Sequence, residues 1–255
     1  MVIDFKIILH FRLKASLLFI LILYFSNSFS QSISTDRPSA QTDNSTTLHY
    51  KAFQIESGVM LPFTENELNS ISVPNLLLRY GILEKIEVRF STDLMFSSKN
   101  KETFISPIQF GSKIQIIKNE EFQLAFVSML TIQSKNSDSL KSFYENIVTK
   151  IVGGNKISDK ISLGYTFGHD IIYNAENEFN YSILIGNSIS EKFSGFIEFY
   201  GNWQYMLDDK NKAINFDFGG SYLLNKKMQV DAYFGRGLNN NSYFASVGFS
   251  YLFMR

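Results

Sequence analysis

The 255-residue chain carries 24 basic and 24 acidic side chains, 25 Phe and 13 Tyr against 4 Pro, and no cysteine. The balanced charge excludes nucleic acid as an electrostatically driven partner. The missing thiol excludes a disulfide framework, a thiolate metal site, a cysteine nucleophile and a lipoprotein anchor.

Residues 1–14 carry Lys6, Arg12 and Lys14 against Asp4. A short uncharged run, Ala15–Phe25, follows, and then Ser28–Phe29–Ser30. A basic start, an apolar run of roughly 7–15 residues and a small-x-small exit describe a secretory signal. The expected cut lies before Gln31. The chain then divides into a signal peptide at 1–30, a polar segment at 31–47 and a barrel at 48–255. An N-terminal anchor is the competing reading, but a spanning helix needs about 20 apolar residues, and no second long apolar run follows. Cleavage removes three bases and one acid and leaves a mild excess of negative charge.

Residues 31–47 are polar and show no alternation. They read either as a plug tucked into the barrel and held by Asp36 and Arg37, or as a disordered periplasmic leader. The specific Thr35–Asp36–Arg37–Pro38 run favours the plug.

From Phe53 onwards apolar side chains recur every second residue, as on one face of a pleated strand. Phe53 and Ile55 alternate with Gln54 and Glu56; Leu76, Leu78 and Tyr80 with Asn75 and Arg79. Ile86, Val88 and Phe90 alternate with Glu87 and Arg89; Ile108, Phe110 and Ile114 with Gln109, Gly111 and Lys113. Phe122, Leu124 and Phe126 continue the series. The stretch 142–152 is weakest, because Tyr144, Asn146, Val148 and Lys150 make a poor lipid face. Alternation then resumes in runs beginning at Ile161, Phe179 and Phe193, the last opposing Glu198. It continues from Ile214 against Asp217, from Met228 against Asp231, and from Tyr243 to Phe253 against Ser246, Gly248 and Ser250.

About twelve such segments fit the ~9–11 residues that a tilted strand needs to cross a bilayer. Short turns are expected near 82–85, 118–121, 155–159, 188–192 and 225–227. Longer polar loops are expected near 62–69, 97–103, 133–141, 173–178, 206–212 and 237–242. The fold class is therefore all-β: a transmembrane antiparallel up-and-down β-barrel of about 12 strands after a cleaved signal peptide. A soluble β-sandwich also alternates, but its strands run about 5–6 residues, and its outer faces carry charge. Here the non-apolar faces hold mainly Gly, Ser, Asn and Gln, which suits a wet interior.

Glu56, Arg79, Glu87, Arg89, Lys113, Glu198, Asp217 and Asp231 point inward in this scheme. They read as a charged constriction that selects solutes or as an ion-pair network that stiffens the barrel; the sequence leaves both open. Gly248, Tyr251 and Phe253 in the last strand resemble the terminal signal read by the barrel-assembly machinery, with Met254 and Arg255 as a departure at the end. The outward aromatics, Trp203 and Tyr205 at the outer rim among them, read as lipid face and interfacial girdles. His169 beside Asp170 is the one opening for an outer-membrane lipid hydrolase, and a rim histidine without a role is the better reading. No metal spacing, phosphate loop or nucleophile elbow is present, and no cofactor is expected.

Together, Thr35–Asp36–Arg37–Pro38, Pro74–Asn75–Leu76–Leu77–Leu78–Arg79–Tyr80–Gly81, Ala232–Tyr233–Phe234–Gly235–Arg236–Gly237 and Val247–Gly248–Phe249–Ser250–Tyr251 resemble the outer-membrane transporter-like family named for the meta-pathway of phenol degradation. The resemblance covers the mature chain and implies a barrel that passes small aromatic or other apolar compounds. Fold alone does not fix the substrate. The expected function is a narrow passive channel, with a non-conducting structural or surface-display barrel as the alternative. Expected partners are outer-membrane lipid, the assembly machinery and a small solute.

Overall fold

The computed structural model describes residues 33–37, 41–65, 67–98, 101–134, 143–172, 177–204 and 212–253. The expected signal peptide at 1–30, Pro38, Tyr205 and the two final residues lie outside the described residues. In chain order the strands are β1 (Phe53–Thr64), β2 (Glu67–Leu68), β3 (Ser70–Leu83), β4 (Ile86–Ser97), β5 (Thr103–Ile105), β6 (Ile108–Lys118) and β7 (Phe122–Ser134). They continue with β8 (Phe143–Lys156), β9 (Ile161–Ile172), β10 (Glu178–Ser188), β11 (Phe193–Gln204), β12 (Ala213–Asn225), β13 (Met228–Gly237) and β14 (Ser242–Phe253). No helix among the described residues is long and apolar enough to cross a membrane.

Each long strand pairs antiparallel with the next, and β14 returns to β1 over its whole length, from Phe53↔Phe253 to Thr64↔Ser242. The sheet is thus a closed barrel of twelve long strands. Closure removes the unpaired edge that hydrocarbon would not tolerate. β2 and β5 are short additions, β2 turning back on the end of β1 and β5 pairing with β4.

The alternation sets which face is which. Phe110, Phe167, Ile183, Phe218 and Val247 are exposed on the outer surface, while Gln54, Glu56, Arg79, Lys113, Glu198 and Asp217 are wholly buried inside. Rings gather at both rims, as interfacial girdles do. At the short-turn rim, Phe53 lies 5.7 Å from Phe253, and Tyr251 lies 4.4 Å from Phe253. At the loop rim, His169 stacks on Phe179 at 4.5 Å, and Phe179 on Trp203 at 5.4 Å.

Two local expectations are corrected. The stretch 142–152, expected as the weakest strand, is strand from Phe143 onwards, but with its faces reversed: Val148, Lys150 and Val152 face inward, and Ile147 and Ile151 make its lipid face. The loop expected at 62–69 is instead strand through Thr64, with β2 at Glu67–Leu68 paired back on the end of β1. There Phe63 stacks on Tyr243 across the barrel seam, centroids 4.8 Å apart, which holds the strand end in register.

Candidate functional site

The site is the barrel interior. Residues 33–37 and 41–48 carry no regular structure, so their backbone groups need partners from elsewhere. Inward side chains supply them. Glu56 accepts from the Asp36 amide at 2.7 Å, and Glu87 from the Leu48 amide at 2.8 Å. Glu198 accepts from the amides of Gln41 and Thr42 at 3.0 and 2.6 Å. Arg79 and Gln54 both donate to the Ser34 carbonyl at 2.7 Å, and Lys113 donates to the Asn44 carbonyl at 2.7 Å.

β1, β3, β4 and β6 lie side by side and bring Glu56, Arg79, Glu87, Arg89 and Lys113 together. Arg79 Nε lies 2.8 Å from Glu87 Oε1, and its Nη1 lies 3.1 Å from Glu56 Oε1. Asp36 from the tucked segment completes the group: its Oδ2 lies 3.3 Å from Arg79 and from Arg89 and pairs closely with Lys113. Asp43 bridges Arg89 at 3.1 Å and Lys150 at 2.9 Å. Burial alone would raise the Asp43 carboxyl, but the charges of Lys150, Arg89 and Lys113 outweigh it and hold the group well below the usual carboxylate range.

Arg37 reaches the adjoining wall at β13 and β14, beside the β1–β14 seam. It pairs closely with Asp231, donates to Ser246 Oγ at 3.0 Å, and lies over the Tyr233 ring at 5.3 Å. The guanidinium fits because Gly58 and Gly248, partners across the β1–β14 seam, leave a notch; a Cβ on either glycine would overlap it. Glu198 and Asp217 face each other across β11 and β12, away from the cation group. Sequence reasoning missed Lys150 and Asp43. Lys150 lay in the stretch read as weak, and Asp43 in a segment with no period to assign a face.

The segment divides the interior space. A cavity of about 670 Å³ lies toward the short turns, lined by Thr42, Ser45, Gln123, Gly154 and Lys156. One of about 350 Å³ lies toward the loops, lined by Gln41, Thr166, Asp170, Asn180 and Asn215. A smaller one of about 160 Å³ lies against β6–β8 and shares Gln41, Gln109, Val148 and Lys150 with the second. Val127, Met129, Val148 and Val152 pack there as an apolar patch inside the barrel. Among the described residues no group of three or more His, Cys, Asp or Glu is placed to hold a metal ion.

A closed, antiparallel, twelve-strand barrel with an apolar exterior and a charged interior defines the class of outer-membrane β-barrels. The chain belongs to the family described as "Putative MetA-pathway of phenol degradation", which matches residues 35–253. Its fold is similar to that of an outer membrane channel from Pseudomonas putida F1, with TM-score 0.63 and 11% identity over 84% of this chain and 100% of that one. It is also similar to the KdgM porin, with TM-score 0.56 and 11% identity over 79% of this chain and 99% of that one. At that identity the likeness is one of fold. No protein in a curated collection matches by sequence.

Proposed function

We propose that the protein is a narrow passive channel of the outer membrane for small, partly apolar solutes, with residues 33–37 and 41–48 acting as a partition in its lumen. The observation that carries this reading is the pair of interior cavities on either side of Gln41–Asp43. A twelve-strand barrel falls between eight strands, which side chains fill, and 16–18 strands, which hold a wide aqueous channel. Export through a cleaved signal, and recognition of β14 by the assembly machinery through Gly248, Tyr251 and Phe253, belong to the same proposal.

Liposomes holding the refolded mature chain test it by solute flux. Small aromatic solutes should enter, and Glu87→Ala with Arg89→Ala should change the rate. Flux indistinguishable from protein-free liposomes would sink the channel reading.

The buried ion network favours a second reading, a non-conducting structural barrel, for which such liposomes stay impermeable. A lipid hydrolase is a weaker alternative. His169 and Asp170 are neighbours on β9 and so point to opposite faces, His169 against Phe179 outside and Asp170 to the interior cavity. Lipid hydrolysis abolished by His169→Ala would restore it.

A further inference from the structure

The roughly 160 Å³ cavity beside β6–β8 combines two kinds of lining. Leu77, Val127, Met129 and Val148 line it together with Arg89 and Lys150, and Lys150 lies two residues along β8 from Val148 on the same inward face. The carboxylates that border it are already engaged. Asp43 takes Arg89 on one oxygen and Lys150 on the other. Asp36 takes the Asn44 amide on Oδ1 and three cations on Oδ2. The donors are not used up. Arg89 is 5% exposed, yet its Nε and Nη1 have no hydrogen-bond partner. Nε lies 3.9 Å from Glu87 Oε1, too far for a hydrogen bond.

Buried donors without acceptors are costly, and an apolar wall beside them favours a body that water does not wet. A cavity of about 150 Å³ lined by apolar groups in another protein takes up benzene, so this one has room for a single ring or a short chain. We propose that it is a binding site for a small monocarboxylate with an apolar body, an aromatic or short aliphatic acid. The carboxylate accepts from Arg89 Nε or Nη1 and from Lys150, and the body lies on Val127, Met129 and Val148. A charged acceptor suits a guanidinium better than a hydroxyl does. The inference rests on the channel reading for its meaning as a way-station, but the site itself stands on the geometry.

Titration calorimetry on the folded mature barrel in detergent micelles tests it, with benzoate and benzyl alcohol as probes. Benzoate should bind saturably, and benzyl alcohol about tenfold or more weaker. Arg89→Gln should weaken benzoate by a similar factor. Should Arg89→Gln fail to fold, Val148→Phe fills the cavity and should abolish the binding. Absence of benzoate binding to the folded wild type overturns the proposal. So does equal binding of benzyl alcohol, or benzoate binding that survives Val148→Phe. Benzoate flux is read separately in liposomes. Flux without saturable binding overturns the site and leaves the channel; binding without flux overturns the channel and leaves the site.

Discussion

Arg79 and Arg89 face each other directly across the β3–β4 pair, and one oxygen of Asp36 lies 3.3 Å from a terminal guanidinium nitrogen of each. Like charges directly opposite on paired strands destabilise the pair. Glu87 and Asp36 relieve the clash, and Asp36 does not belong to the wall. The barrel's own inward charges thus make a socket that the tucked segment completes.

Removing that carboxylate should be costly. Asp36→Asn leaves Arg79, Arg89 and Lys113 around a neutral amide, and breaking a buried pair from one side costs about 3–5 kcal/mol. Urea unfolding followed by heat-modifiable gel migration should show the loss. Pairing Asp36→Asn with Lys113→Met should restore part of it, since fewer buried cations are then left unmatched.

Gly248→Val should dislodge Arg37. The added side chain needs the space the guanidinium holds, and overpacking costs about 1–3 kcal/mol. Limited proteolysis should cut residues 31–47 faster in this variant while the barrel still migrates as folded. Tyr251→Ala, outside the notch, should leave the segment protected. Equal protection in Gly248→Val and wild type would remove the steric argument.

Acid should loosen the segment through Asp43. Its carboxyl is held well below the usual range by Lys150, Arg89 and Lys113 against the opposing effect of burial. A carboxyl depressed in the folded state stabilises above its unfolded value, about 3.9, and that stability is lost as pH falls toward the folded value. Urea midpoints should therefore hold from pH 7 to pH 5 as far as this group is concerned and fall below about pH 4. Asp43→Asn should flatten that part of the profile; an unchanged slope would show that other carboxyls dominate.

The lipid face has its own test. Phe218 sits mid-strand on β12, pairs with Ile197 and Phe234, and is 49% exposed on the outer surface. Phe218→Arg should cost about 2–4 kcal/mol in a bilayer, as expected for a cation near the midplane. Unfolding from lipid vesicles reads the cost, and a change below about 1 kcal/mol would place this face at an interface instead.

Much of the architecture was legible because the side-chain period of a strand is two. Glu56, Arg79, Glu87, Arg89 and Lys113 fall on one parity of their strands, and sequential antiparallel pairing carries them to one patch of wall. Where both faces are apolar the period is silent. Leu77, Val127, Met129, Phe196 and Leu252 point inward among outward Leu, Ile and Phe, so the apolar interior patch could not be read. The stretch 142–152 misled because its even positions were tried against lipid, whereas Ile147 and Ile151 on the odd ones face outward. Asp43 and Gln41 were invisible for another reason. An irregular segment takes its conformation from the side chains around it, so its contacts with Lys150 and Glu198 follow only once the barrel is closed.

Single-channel current in planar bilayers, recorded for residues 31–255 and for a form beginning at residue 48, separates a partitioned channel from a closed barrel. Small discrete steps are expected from residues 31–255 and larger ones from the shortened form, because the partition at Gln41–Asp43 is gone. Silence from both, with each shown to be folded by circular dichroism and gel migration, would contradict the channel reading.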